Sequence, residues 1–161
     1  MRCRTWLTGA VLAGVLAAPA PLYADATAFL GVTTTPSNRT TKGLAIGITV
    51  LVVGFEFEYS DAAEDLDSGA PSLRTGMGNL IVQTPIAVSG LQFYGTAGGG
   101  IYRERLDTIQ ETNVGLNIGG GVKVSLLGPL KLRVDYRVFT LRGSALHSRP
   151  QRIYAGLNLA F

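Results

Sequence analysis

The segment YAGLNLAF, residues 154–161, decides between the fold classes that the sequence allows. Side chains of a β-strand point alternately to its two faces. Counting back from Phe161, one face carries leucine, alanine and isoleucine, whereas the other carries alanine, asparagine, glycine, tyrosine and arginine. The segment therefore predicts a strand with one apolar face, one polar or small face, and an aromatic residue at its end.

The remaining sequence repeats this alternation in a meander of strand-like segments. The triplets Gly98–Gly100 and Gly119–Gly121 lie inside apolar segments and disfavour helices. Eight antiparallel strands can close a small barrel and leave no exposed sheet edge. We predict an all-β, eight-stranded, antiparallel up-and-down transmembrane barrel with strands at about 28–35, 42–49, 51–60, 72–83, 91–106, 112–125, 130–142 and 152–161.

Residues 1–26 have the features of a secretory signal peptide. A start with two arginines precedes an apolar run at 6–18, and ADA at 24–26 fits an A-x-A cleavage site. A cut after Ala24 is a close rival. The apolar run is shorter than the roughly 20 residues of a membrane-spanning helix, so we expect a cleaved signal peptide and a single barrel domain at 27–161.

Composition excludes several functional classes. Cys3 is the single cysteine and lies in the segment expected to be removed, so no disulfide, thiolate nucleophile or cysteine metal site is expected. The formal net charge of +3 is close to balance, which gives no reason to expect nucleic-acid binding. We expect neither a cofactor nor a bound metal.

Two features indicate where the barrel resides: the polarity of the connections between strands, and the composition of the two faces of each strand. Connections after strands one, three, five and seven are polar, whereas those after strands two, four and six are uncharged and mostly short, as in outer-membrane barrels. Charged residues make up 16% of the chain, below the usual quarter. Both features favour a barrel whose apolar face contacts lipid over a soluble barrel with an apolar interior.

These residues resemble the small eight-stranded outer-membrane barrels of the OmpA/OmpX type, the outer-membrane β-barrel domain. The resemblance covers about 28–161 and rests on 154–161, on VDYR at 134–137 and on the glycine-rich strand 91–105. It implies export to the cell outer membrane, with membrane lipid and lipopolysaccharide as partners. The C-terminal spacing resembles the signal that such barrels present to the barrel assembly machinery, carried here by Tyr154, Gly156, Leu159 and Phe161.

Strand parity predicts charges inside the barrel. Buried charges need partners, so we expect a salt-bridge network in the lumen, chiefly Glu56 and Glu58 with Arg133 and Arg137. Plain structural filling and a gate or minor route for small solutes are both open at this point. The residues expected in the network are Glu56, Glu58, Glu104, Lys123, Arg133, Asp135 and Arg137. Further candidates for the lumen are Arg74, Lys131 and Arg152.

A second group of cations lies near the outer ends of the strands or in the outer loops. Arginine pairs well with phosphate, and lipopolysaccharide presents phosphates at this level. Two interpretations of these cations are open: they contact those phosphates, or they are ordinary charges solvated by water. The residues are Arg39, Lys42, Arg103, Arg105, Arg142, Arg149 and Arg152.

We expect a monomeric protein with a structural or surface-contact role and no enzymatic activity. One alternative is a secreted soluble barrel that carries an apolar ligand in a cavity lined by Phe55, Phe57, Leu116 and Val134. Another is a lipid A-modifying barrel enzyme that uses His147, the single histidine. A serine–histidine pair needs a carboxylate to orient the imidazole, and none follows His147 in the sequence.

Overall fold

The computed structural model describes residues 22–161 and consists of eight strands. No helix among these residues is long and apolar enough to cross a membrane. Residues 1–21, which include most of the expected signal peptide, lie outside the described residues. The strands are β1 Leu22–Thr33, β2 Arg39–Val50, β3 Val53–Ala62, β4 Ser72–Gln83, β5 Leu91–Leu106, β6 Ile109–Leu127, β7 Leu130–Leu141 and β8 Gln151–Ala160.

Each strand pairs antiparallel with its neighbour in the sequence, and β1 also pairs with β8, which closes the barrel. The predicted fold class is confirmed. The expected bounds of β4 and β5 match the structure, but β1 and β2 begin earlier than expected. β6 is longer at both ends because its hairpin with β5 stays paired as far as Leu106 and Ile109, and its hairpin with β7 as far as Leu127 and Leu130.

The two ends of the barrel differ. The connections 34–38, 63–71 and 142–150, together with the tip of the β5–β6 hairpin, form what we call the long-loop end. The turns 51–52, 84–90 and 128–129 lie at the opposite, short-turn end, where β1 begins and β8 ends. Positive φ angles at Gly90 and Gly128 occur in these turns, a conformation that glycine adopts without steric cost.

The outward face of the strands is mainly apolar, although β4 also turns Leu73, Met77 and Ile81 into the interior. Phe55, Phe57 and Leu116 are 59%, 53% and 48% exposed, and Val134 is half-buried opposite the outward Ala155. These four residues therefore do not line an interior cavity, and the soluble-carrier alternative is wrong about their placement. The barrel instead presents a largely apolar outer surface and holds its buried charges in the interior.

Candidate functional sites in the lumen and at the long-loop end

Arg133 lies at the centre of the lumen. Its guanidinium contacts the Glu56 carboxylate and lies 3.3 Å from Asp135 Oδ2. β3 and β7 are four strands apart in a closed sheet of eight, so they face each other across the lumen and long side chains from both meet in the middle. Arg133, Glu56 and Asp135 are at most 1% exposed. Such buried ions are stable only when each has a partner.

The network continues toward the long-loop end through Arg137. Its guanidinium lies 2.9 Å from Glu56, 2.9 Å from Asp135 and 3.2 Å from Glu58. Glu58 also contacts Arg152, which donates a hydrogen bond of 2.6 Å to the Ser60 hydroxyl. Arg152 thus belongs to the lumen. Its predicted contact with lipopolysaccharide is corrected, because it shares the inward parity of Tyr154 and Gly156.

Aromatic rings and glycines complete the packing. Tyr94 accepts a 2.7 Å hydrogen bond from Arg133 Nε and donates one to Asp135. Phe29 and Tyr154 stack with ring centroids 4.0 Å apart, and Arg152 lies against both rings. A Cβ at Gly121 would lie 2.6 Å from the Tyr94 hydroxyl. The glycine-rich strands therefore give these large inward side chains the space they need.

A separate ion pair lies nearer the short-turn end. Lys123 Nζ lies 2.7 Å from Asp25 Oδ2, and Lys123 is only 3% exposed. The sequence predicted Lys123 in the lumen but assigned Asp25 to the signal peptide. A cut after Ala24 keeps this pair, whereas a cut after Ala26 removes Asp25; the cleavage site stays a prediction.

An apolar cluster fills the lumen on the long-loop side of the ion network. It contains Ala62, Leu73, Met77, Tyr102, Phe139 and Leu141, packed below Ala145 of the last loop. Glu104 lies above it, buried, and accepts a 3.0 Å hydrogen bond from the Leu146 backbone. Glu104 therefore lies inside as expected, but it makes no ion pair with the network in the described part of the chain.

The ion network and the apolar cluster together close the lumen. From the short-turn end inward, Lys123 and Asp25 precede a packed network of arginines and carboxylates, which the apolar cluster then covers. Eight-stranded barrels have an interior that side chains can just fill, and the buried side chains of the ion network and the apolar cluster occupy its middle and its long-loop side here. This arrangement favours structural filling over an open path for solutes.

The predicted outer cations divide into two groups. Lys42, Arg103, Arg105, Arg142 and Arg149 are exposed at the long-loop end. Arg39 is 4% exposed and donates a 2.7 Å hydrogen bond to the Thr35 carbonyl. Its predicted lipopolysaccharide contact is corrected, because β2 begins at Arg39 and gives this side chain the inward parity of Thr41.

Sequence reasoning missed the outward position of Arg74, which it had considered for the lumen. Arg74 is directly opposite Arg103 in the β4–β5 pair, and both side chains are exposed. Its side chain lies 3.4 Å from Asp61. The alternation of β4, in which Leu73 and Thr75 are buried on either side of Arg74, is the signal that could have revealed this.

The four predicted C-terminal residues occupy both faces of β8. Tyr154 and Gly156 are buried in the lumen, whereas Leu159 and Phe161 are 47% and 74% exposed on the outside. Phe161 exchanges backbone hydrogen bonds of 2.8 and 3.0 Å with Ala24. β8 thus combines the closing seam of the barrel with an outward apolar edge.

Other candidate chemistry is sparse. Among residues 22–161, no group of histidine and acidic side chains could hold a metal ion, and no hydrogen bond joins His147 to a serine or a carboxylate. In the loop 63–71, hydrogen bonds from Ser68 and Ser37 lower the pKa of the Asp65 carboxyl below its ordinary value. These hydrogen bonds, all from groups of the protein, hold the loop 63–71 in place around Asp65.

No protein-family model and no curated protein matches the sequence. Solved structures do match. Neisserial surface protein A has a TM-score of 0.69 and 17% identity over 87% of this chain and 97% of its own. The N-terminal β-barrel domain of Pseudomonas aeruginosa OprF has a TM-score of 0.66 and 17% identity over 86% and 97%. The outer membrane enzyme PagL has a TM-score of 0.54 and 12% identity over 84% and 98%.

These structural similarities establish the fold. At sequence identities of 17% or less, they do not establish a function. The matches span nearly the whole of each compared chain, and the closed antiparallel meander of eight strands is common to this protein and the barrels it resembles. The chain therefore has the fold of the small eight-stranded outer-membrane β-barrels.

Proposed function

We propose that this protein is a bacterial outer-membrane barrel with a structural and surface-contact role. It is exported through its signal peptide, inserted by the barrel assembly machinery, and resides in the membrane as a monomer with its long-loop end outward. The observation that carries the proposal is the sense of the alternation: the outward face is apolar, and the inward face holds paired charges. A lipid environment requires this arrangement, and water does not.

In this proposal the lumen serves stability first and solute passage at most in a minor way. The guanidiniums of Arg133 and Arg137 are buried among carboxylates, and the apolar cluster covers them. Passage of an ion requires these pairs to separate and the cluster to move. The barrel thus acts mainly as a closed membrane element that displays its outer loops.

Substitution Phe161→Ala tests the proposed location. We expect wild-type protein in the outer-membrane fraction, with gel mobility that differs between unboiled and boiled samples, and a severalfold lower amount of Phe161→Ala. The reason is that Phe161 supplies the exposed aromatic end of β8, which resembles the assembly signal. Recovery of the wild type as a soluble periplasmic protein would contradict the proposal.

The fold shared with PagL makes an enzymatic role the specific rival, and we propose that no such role exists here. Within residues 22–161, His147 Nδ1 has no hydrogen-bond partner, whereas an acyl-transfer mechanism needs a histidine bonded to a serine and a carboxylate. We expect no release of fatty acid from lipid A by wild type or by His147→Ala, measured by mass spectrometry of the lipid. Release by wild type that disappears in His147→Ala would establish the rival.

A further inference from the structure

The outward charges of the strands are concentrated at one place on the barrel. Arg74 and Arg103 face each other across β4 and β5, and Arg105 faces Ser72 one outward position nearer the long-loop end. These residues and Gln110 line a small depression of about 120 Å³. We call Arg74, Arg103 and Arg105 the arginine cluster.

The arginine cluster is only partly neutralised. Arg74 lies 3.4 Å from Asp61, and Arg105 lies 3.6 Å from Glu64, at the two edges of the cluster. Arg103, between them, has no salt bridge within residues 22–161. Like charges directly opposite across a strand pair are destabilising, so an anion placed between Arg74 and Arg103 would remove an unfavourable interaction as well as accept hydrogen bonds.

An apolar trough begins immediately below the arginine cluster. It has a volume of about 280 Å³, with Arg74 and Arg103 at its head and Gly76 in its floor. Tyr59 and Ile101 are the cross-strand neighbours of Gly76 on either side. One outward position further on, Gly78 is opposite Gly99. There the Phe55 ring lies 3.5 Å from the Cβ position of Gly78, and Leu116 lies 3.1 Å from that of Gly99, so the open floor is at Gly76.

The glycine at Gly76 is not required by the packing of the protein. A Cβ at Gly76 would have its nearest neighbour, the tip of the Phe57 ring, at 3.9 Å. By contrast, a Cβ at the inward-facing Gly100 would lie 2.0 Å from the Gly76 carbonyl oxygen. Glycine weakens a strand interior, and where packing does not demand it, it often marks the close approach of a ligand.

From these contacts we propose that the arginine cluster and the trough bind one phosphorylated, acylated lipid of the outer leaflet, with lipid A as the occupant. A phosphate lies between Arg74 and Arg103, where guanidinium forks match its geometry, and an acyl chain lies over Gly76 between Tyr59 and Ile101. The polar head faces the long-loop end, as an outer-leaflet lipid requires. This inference rests on the proposed membrane location and assigns the lipid contact to one wall of the barrel.

Binding of lipid A to purified, folded protein in detergent tests the proposal. We expect bisphosphorylated lipid A to bind wild type, measured by native mass spectrometry, and Arg74→Gln/Arg103→Gln to bind at least about tenfold more weakly, which corresponds to about 1.4 kcal/mol. The matched charge control is Arg142→Gln/Arg149→Gln, which removes two exposed loop cations outside the cluster and should bind like wild type. Equal binding by the double variant and wild type would overturn the proposal.

The trough is tested separately from the phosphate. Gly76→Leu fills the floor and should weaken binding severalfold, whereas Gly95→Leu should not. Gly95 is also outward on β5, and a Cβ there would have its nearest neighbour at 4.0 Å, so both variants should fold. Equal effects of the two leucines would overturn the acyl-chain part of the site.

Two further probes identify the source of the phosphate. Dephosphorylated lipid A should bind at least about tenfold more weakly than the bisphosphorylated form, and inorganic phosphate should not displace the lipid. Displacement by inorganic phosphate would show a simple anion site and overturn the lipid assignment. Unboiled gel mobility confirms that each variant is folded, and cell fractionation reports the membrane location independently, so failure of either proposal can be recognised alone.

Discussion

Replacing Glu56 with glutamine should destabilise the folded barrel by about 3–5 kcal/mol, the usual effect of removing one partner from a buried ion pair. Glu56 contacts the guanidiniums of both Arg133 and Arg137. Without its charge, the three buried guanidiniums of Arg133, Arg137 and Arg152 share two carboxylates, Glu58 and Asp135. The measurement is the urea midpoint of protein folded into lipid vesicles, read from the gel mobility of unboiled samples.

The control for this substitution is Glu64→Gln. Glu64 is a loop carboxylate 3.6 Å from the exposed Arg105, and pairs of this kind contribute roughly 0–1 kcal/mol. The double variant Glu56→Gln/Arg133→Gln restores the balance of charge and should recover part of the loss, since contacting residues couple in a double-mutant cycle. If Glu56→Gln and Glu64→Gln shifted the midpoint equally, the network would not hold the barrel together.

Substitution Ile46→Arg should lower the free energy of unfolding by about 2–4 kcal/mol if the outer wall of the barrel faces lipid. Ile46 is 63% exposed and lies between the outward Ala26 and Phe57 of the neighbouring strands. On a barrel surrounded by water the same change would be nearly neutral, since exposed positions tolerate charge. The same urea titration in vesicles measures the effect, so the result separates the membrane barrel from a soluble one.

Ile86→Arg is the matched control for Ile46→Arg. Ile86 is 75% exposed, but it lies in the turn 84–90 at the short-turn end and outside the strands. We expect a change below about 0.5 kcal/mol there. Similar small losses of stability for Ile46→Arg and Ile86→Arg would contradict the membrane location, whereas a loss of stability confined to Ile46→Arg would support it.

Much of the fold was accessible to local reasoning. Strand side chains alternate with a period of two, so the parity of 154–161 and of 131–138 separates the two faces without any knowledge of partners. The same parity placed Glu56, Glu58, Arg133, Asp135 and Arg137 inside, where the structure has them. Parity reasoning succeeded in strand interiors. There, two side chains lie on the same face when they are an even number of residues apart in the sequence and on opposite faces when the number is odd.

Parity reasoning was unreliable near strand ends. Arg39 was expected in a loop, but β2 begins at this residue and turns it inward. Arg74 was considered for the lumen although its strand places it outside. The start of a strand depends on how far its neighbour continues to pair, which is a property of the sheet and not of the segment.

The sequence by itself determined an all-β meander, its division into an apolar and a polar face, and the set of charges in the middle of the polar face. The sequence predicted that Glu56 and Glu58 pair with Arg133 and Arg137, whereas only the tertiary structure decided the partners of the other charges. Arg152 meets Glu58 and Lys123 meets Asp25 across the lumen, and Arg74 faces Arg103 on the outside. These contacts follow from the closure of the sheet and the register between strands, which join residues far apart in the chain and leave no periodic signal within any one segment.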